Sequence, residues 1–369
     1  MTAPRTAARP GTYVMLVATI AVLNVVGVVM VLSASSVFSL ESHGSAWYTF
    51  TRQVAWTLLG VIGFAVTLRI DYRRWRRVVE PLLVVTGVML VLVLVPPFGL
   101  EVAGARRWLG VAGWSVQPSE LAKLALVLFA AEILTRREHE VLEWRRVLRP
   151  VLFVLGGFAV LVCMEPDLDS ALLIALIVGT VLMVGGVRIA HLAAVGGTGA
   201  AAAAVFTLST GYRRDRLLTF LNPAADAANT GYQATQSFIA LGSGGISGVG
   251  LGAGRAKWLF LPNAHTDFIF AVIGEELGLI GTFIVLVLFI AFVMLGTITA
   301  MRAPDRFGTL LAAGITVWIG AQAAVNMGGV VGLMPASSVP LPFVSFGGSA
   351  LVVTMVGAGI LANVARQSR

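Results

Sequence analysis

Apolar runs about as long as a bilayer's hydrocarbon core is thick recur from one end of this chain to the other. No other feature limits its fold as strongly. The first run, Tyr13 to Ser36, contains no charged residue. A helix needs about 20 apolar residues to cross that core, and it satisfies its own backbone while doing so. Hydrophobic residues make up 57% of the 369 and charged ones 12%, against roughly 25% charged in a soluble domain. A membrane β-barrel would show short alternating segments instead, and none stand out. The expected fold is therefore all-α, a polytopic integral membrane protein of about ten transmembrane helices. The spans are expected to start near residues 13, 54, 80, 119, 150, 168, 190, 267, 308 and 347. The first run is long for a signal-peptide core and is read as a span.

Charge sets the orientation. With the N-terminus in the cytoplasm, 17 of the 26 basic residues fall in inner segments, including the RIDYRRWRR run and Arg136 to Arg149. Eight fall outside, and Lys123 lies within a span. The positive-inside rule then favours both termini in the cytoplasm. The same pattern explains the net charge of +8 without nucleic acid. The domain reading is a cytoplasmic tail at 1–12, one transmembrane domain at 13–365 and a cytoplasmic tail at 366–369. The outer loop of about 211–266, between helices 7 and 8, is too long for a bare connection and is expected to hold short helices and a function. Cys163 is the lone cysteine, and His43, His139, His191 and His265 are scattered. No protein-built zinc site is expected. No Walker motif suggests a nucleotide-driven pump.

Four outer-face segments concentrate polar residues that a membrane tolerates only at a cost. In GARRWLGVAGWSVQPSELAK, Pro118 reads as the first helical residue and Glu120 lies in the first turn. Glu120 and Lys123 share a helix face, so an ion pair that neutralises itself is as good a reading as direct function. Arg106, Arg107 and Lys123 are cations on the side that the inside bias disfavours, and they could hold an anionic headgroup. Trp108 and Trp114 read most simply as interfacial anchors. In EPDLDSA, Pro166 breaks the helix beside three carboxylates. Glu165, Asp167 and Asp169 could bind a divalent cation, and helix capping is an equal alternative for the two aspartates. In LPNAHTDFIFAVIGEELG, Asp267 stands where the long loop re-enters the bilayer. A carboxylate against the apolar FIFAVI run is pushed toward the pKa of a general base, with capping as the alternative. Glu275 lies about 12 Å deeper by helical rise, and at least one of Glu275 and Glu276 should be paired inside. In NMGGVVGLMPASSVPLPFVSFGGSA, prolines 335, 340 and 342 prevent continuous helix, while Gly347, Gly348 and Ser349 allow close packing.

Together these segments resemble the SEDS family (shape, elongation, division and sporulation), which includes FtsW, RodA and SpoVE. The resemblance runs through MVLSASS, RRWLG, QPSELAK, EPDLDSA, GYQATQS, HTDFIFAVIGEELG and LPFVSFGGSAL, nearly the whole chain. KWLFLPNAHTDFIF and MVLSASS are more similar to the division type, FtsW, than to the elongation type. The resemblance implies a peptidoglycan glycosyltransferase that polymerises lipid II at the outer face of the cytoplasmic membrane, at the division septum. It implies a class B penicillin-binding protein of the FtsI type as partner, with other division proteins and membrane lipids around it. It marks Asp267 as catalytic. Arg107, Trp108, Gln117, Ser119, Glu120, Lys123, Glu275 and Glu276 match its substrate-site motifs, and His265 and Ser345 in HTDF and FVSFGG join them. A divalent cation, Mg2+ or Mn2+, is the one cofactor this reading admits. The chain departs from the usual family strings at Glu165 and Asp169 (QPDLGTA becomes EPDLDSA), at SSVPLPF for TGVPLPF, and at Phe346, where SYGG becomes SFGG.

The mechanism expected is a single inverting displacement. Asp267 takes the proton of an acceptor sugar hydroxyl that attacks the donor's anomeric carbon, and undecaprenyl diphosphate leaves. Arg107 and Lys123 would steady the pyrophosphate charge. A lipid II flippase or transporter, or a non-catalytic scaffold that activates a penicillin-binding protein, are the competing readings.

Overall fold

The computed structural model describes residues 10–368 apart from 97, 103, 112–113, 142, 209–210, 212–213, 215–218, 221 and 223–230. The 1–9 part of the N-terminal tail and most of the 211–230 part of the outer loop lie outside the described residues. Eleven α-helices occur among those described: α1 Pro10–His43, α2 Tyr48–Arg69, α3 Val79–Leu94, α4 Pro118–Arg136, α5 Arg149–Met164, α6 Leu168–Val184, α7 Ile189–Leu208, α8 Tyr232–Gly244, α9 Ile269–Met301, α10 Arg306–Val330 and α11 Ser349–Gln367. Every expected span start falls in or beside one of them, and α8 is the short helix expected in the long loop. Among the described residues eight helices are long and apolar enough to cross a membrane. Of the remaining two at expected starts, α6 is a shorter apolar helix of 17 residues, while α4 carries Glu120, Lys123 and Glu132 in its 19.

Local signals account for the helix ends. Pro118 opens α4 where its missing N–H costs nothing. Asp167 caps α6 by accepting from Ser170 N, and Asp305 caps α10 by accepting from Gly308 N at 2.8 Å. The centre is built from α4, α10 and α11, whose residues are mostly buried. Small residues let α2 and α11 meet closely: Gly60 faces Met355, Gly63 faces Val356, and Gly359 lies against Phe64 and Thr67. By contrast, α7 buries no residue. α1 and α9 have 34 and 33 residues, about 50 Å of rise against a core of about 30 Å, so their outer turns stand clear of the hydrocarbon.

One element escaped the sequence reading. Between α3 and α4 the chain forms a three-stranded antiparallel sheet, β1 Gly99–Val102, β2 Ala105–Val111 and β3 Trp114–Val116, in the order β1-β2-β3. Its strands are too short and too mixed in polarity for a period-two pattern to separate them from loop.

The loops divide between two ends. At one end Arg73 Nε meets Asp305 Oδ2 at 2.6 Å and its Nη1 meets Gln367, Arg76 pairs with Glu132, and Arg306 reaches Glu138 and the Gly185 carbonyl. These are the basic segments that charge counting grouped on one side. The sheet, the α5–α6 turn, the segment before α9 and the 331–348 segment form the other end.

Candidate active site

At that second end, the turn before α9 carries Asp267. Asn263 takes a positive φ of 56°, and its carbonyl collects the N–H groups of Thr266, Asp267 and Phe268. This knot presents Asp267, half-buried, two residues ahead of Ile269, the first residue of α9. Three consecutive carbonyls behind it are held from the other side of the fold. His265 O accepts from Phe346 N at 3.0 Å. Thr266 O accepts from Ser345 Oγ at 2.6 Å, and Asp267 O from Asn326 Nδ2 at 2.9 Å. Asn326 and Gln322, a turn apart on α10, also donate to the Val339 and Pro340 carbonyls. His265 itself is buried between Phe38 and Phe346, at ring separations of 4.8 and 5.8 Å. Burial pulls its pKa down to about 4, so it stays neutral at pH 7. It packs the turn rather than carrying charge to a ligand.

Arg107, on β2, ties the sheet to this end. Its guanidinium donates to the Glu165 carbonyl at 3.1 Å, to the Pro166 carbonyl and to Ser338 Oγ at 3.0 Å. Ser338 is also bound by Asp169 Oδ2. Ser338 adjoins Val339, which Asn326 holds, so Arg107 and Asp267 are fixed to neighbouring residues of one segment. With five N–H groups on a guanidinium, Arg107 has donors left for an anion. Trp108 follows it on β2, half-buried, opposite Leu100. Gln117 anchors the start of α4, its N–H reaching Ser349 Oγ at 2.9 Å and its amide facing Asp167 at 3.5 Å. Arg106 instead pairs with Glu101 on the exposed hairpin. Trp114 meets Trp56 edge-on at 4.6 Å, with the Arg52 guanidinium 5.4 Å from its ring centroid.

Lys123 does not reach this surface. It is fully buried, its Nζ 2.7 Å from both Glu120 Oε1 and Gln322 Oε1 and 5.8 Å from the Trp318 ring. The self-neutralising pair is the arrangement present. A direct headgroup contact by Lys123, Glu120 or the buried Ser119 has no route in this conformation. The pair acts instead through Gln322, which links α4 to the Pro340 carbonyl.

Glu275 and Glu276 are both engaged. Glu275 accepts from Arg255 N at 2.7 Å and Ala256 N at 3.0 Å, while Glu276 meets Ser33 Oγ at 2.7 Å and Lys257 Nζ at 3.3 Å. They anchor the glycine-rich loop at 245–254, which precedes the Asp267 turn. That loop runs against a break in α9 at Gly278 (φ 68°), where Leu279 N and Ile280 N donate to the Gly245 and Ile246 carbonyls. Gly248, at φ 80°, has no room for a Cβ beside the Glu276 carbonyl. Neither glutamate is open to substrate.

The acidic EPDLDSA turn is not a cation cage. Asp167 caps α6, Asp169 holds Ser338, and Glu165 is buried with neither carboxyl oxygen hydrogen-bonded among the described residues. Burial, and then Asp167, push the Glu165 pKa up to about 9, against the pull of Arg107. Among the described residues no three His, Cys, Asp or Glu side chains group to hold a metal ion. All the buried charged side chains among them, Glu120, Lys123, Glu165, Asp167, Lys257, Glu275 and Glu276, lie at the Asp267 end.

Residues 13–369 match the model of the FtsW/RodA/SpoVE family, described as cell cycle protein. The chain belongs to this family. A Mycobacterium tuberculosis relative named "Probable peptidoglycan glycosyltransferase FtsW" is 45% identical over 95% of this chain and 67% of its own length. A Geobacter metallireducens protein of the same name is 40% identical over 94% of this chain and 92% of its own. Stage V sporulation protein E of Bacillus subtilis is 38% identical over 94% and 95%. Among solved structures, one reported as "Structural coordination of polymerization and crosslinking by a peptidoglycan synthase complex" superposes with TM-score 0.76 at 28% identity, covering 98% of each chain. The crystal structure of Thermus thermophilus rod shape determining protein RodA gives 0.70 at 27% identity, covering 99% of this chain and 98% of that one. In this FtsW/RodA/SpoVE member, sequence reasoning missed Asn326, Gln322, Ser338, Ser33 and Lys257 as builders of the site end. The polar residues spaced four apart on α10 were the available signal.

Proposed function

We propose that this FtsW/RodA/SpoVE protein is a peptidoglycan glycosyltransferase that polymerises lipid II at the outer face of the cytoplasmic membrane, with Asp267 as its general base. The observation that carries the assignment is Asp267 at the mouth of α9, with its backbone locked on three successive carbonyls and Arg107 bound to the same supporting segment. Such fixing of a carboxylate and a cation suits a reaction in which one group takes a proton and another meets a leaving anion.

The acceptor hydroxyl loses its proton to Asp267 as its oxygen bonds to the donor's anomeric carbon. The bond from that carbon to the pyrophosphate oxygen breaks with inversion, and undecaprenyl diphosphate leaves with the electron pair. The spare N–H donors of Arg107 face the developing phosphate charge. Among the described residues no three His, Cys, Asp or Glu side chains group to hold a divalent cation, and no step is routed through one. The basic end faces the cytoplasm by the positive-inside rule, which places both chain termini there and Asp267 outside. Relatives named FtsW support a septal role, and a class B penicillin-binding protein of the FtsI type is the partner that this role requires.

Glycan products resolved on a gel, from purified protein with lipid II and with or without a class B partner, test the reading. Asp267→Asn keeps the side chain's size and removes the base, so polymer formation should drop at least about 100-fold, within the range of a lost general base. Full activity of that variant would sink the assignment.

A further inference from the structure

We propose that Asn326 is a positioning residue for the Asp267 base, its side-chain amide bridging the Asp267 and Val339 carbonyls so that the carboxylate stands at one fixed place. The proposal rests on the polymerase reading above and extends it to a residue that never touches substrate. Asn326 lies near the end of α10 and is 1% exposed. An amide buried in an apolar bundle is costly unless its hydrogen bonds are made. Here Nδ2 donates to Asp267 O and to Val339 O, each at 2.9 Å. Both neighbours are carbonyl oxygens, which fixes the orientation of the amide, because a flipped side chain would set oxygen against oxygen.

The contact is unlike the two beside it. His265 O and Thr266 O are bound from the Ser345–Phe346 segment, and Ser345 in turn accepts from Leu341 N at 2.9 Å. Those bonds tie loop to loop. Asn326 ties both loops to a transmembrane helix, while Gln322 one turn earlier fixes the next carbonyl, Pro340 O, and through Lys123 the α4 helix. Without Asn326 the Asp267 carbonyl loses its side-chain tie to α10, while Gln322 still holds Pro340, so the Asp267 turn can shift relative to the bundle. A displacement of about 1 Å at a reacting group costs about 100-fold in rate.

The test uses the full-length protein with its class B partner, lipid II as substrate, and rates expressed per folded molecule well below each variant's melting temperature. Asn326→Leu keeps the branching of the side chain without donors, and Asn326→Asp keeps the shape while replacing N–H2 by oxygen. Both should lower kcat about 10- to 100-fold with KM for lipid II within about threefold, the signature of a contact that matters only at the reacting geometry. In an Asp267→Glu background, whose carboxylate is already displaced, Asn326→Leu should cost less than about threefold more. Rates within threefold of wild type for both single variants would overturn the proposal. So would a loss that merely follows the folded fraction, a rise in KM at constant kcat, or the same fold-loss in the Asp267→Glu background. An active Asp267→Asn would remove the base assignment itself. An inactive Asp267→Asn beside fully active Asn326 variants would remove only this inference.

Discussion

Replacing Glu165 by glutamine should stabilise the protein by an amount that grows with pH. The side chain is 0% exposed, and neither carboxyl oxygen finds a hydrogen-bond partner among the described residues. Burial first, then the neighbouring Asp167, raise its pKa from 4.5 to about 9. Between those values the folded protein keeps a proton that the solvated chain releases. Stability is therefore undiminished below about pH 4.5, falls through the interval by about 1.4 kcal/mol per pH unit, and levels off above about pH 9. By pH 7 the accumulated loss is about 3 kcal/mol. Glutamine has the same shape, carries no titrating proton, and leaves the backbone carbonyl that Arg107 binds. Unfolding of wild type and Glu165→Gln, followed in detergent at pH 5, 7 and 9, should give near-equal stability at pH 5. The variant should gain about 3 kcal/mol at pH 7 and more at pH 9. A stability difference that stays constant with pH would refute the reasoning, because it would mean that Glu165 does not hold its proton in the fold.

Two further substitutions probe the groups around it. Lys123→Met leaves Glu120 buried without its cation and should cost about 3–5 kcal/mol, whereas the Glu120→Gln, Lys123→Met double variant should recover most of that loss. Equal destabilisation of the single and double variants, measured by thermal unfolding, would count against the buried pair. For His265 the sign is opposite: its folded pKa, pulled from 6.5 to about 4 by burial, makes stability present above pH 6.5 and lost as pH falls toward 4, by about 2 kcal/mol at pH 5. His265→Phe preserves the packing on Phe38 and Phe346 and should flatten that acid limb. Parallel wild-type and variant curves between pH 7 and 5 would argue that the imidazole is solvated.

Run length and charge are local properties, so the chain alone determined the helical membrane body, its ten helix starts and the division of its loops into a basic and a polar side. The same reading placed Asp267 at the re-entry of the long loop and showed that at least one of Glu275 and Glu276 must be paired. It left Lys123 suspended between a headgroup contact and a pair with Glu120, and it passed over the sheet and Asn326. Tertiary structure decided these, because a buried polar group is assigned by what it meets, and its partners come from distant parts of the chain. Lys123 meets Gln322, Arg107 meets Ser338, Glu276 meets Ser33, and Asn326 meets Asp267. Desolvation makes each unmet bond expensive, so most buried polar side chains at this end find partners across the fold. Those contacts make Glu120, Lys123, Glu275, Glu276 and His265 supports of the end that carries Asp267 and Arg107.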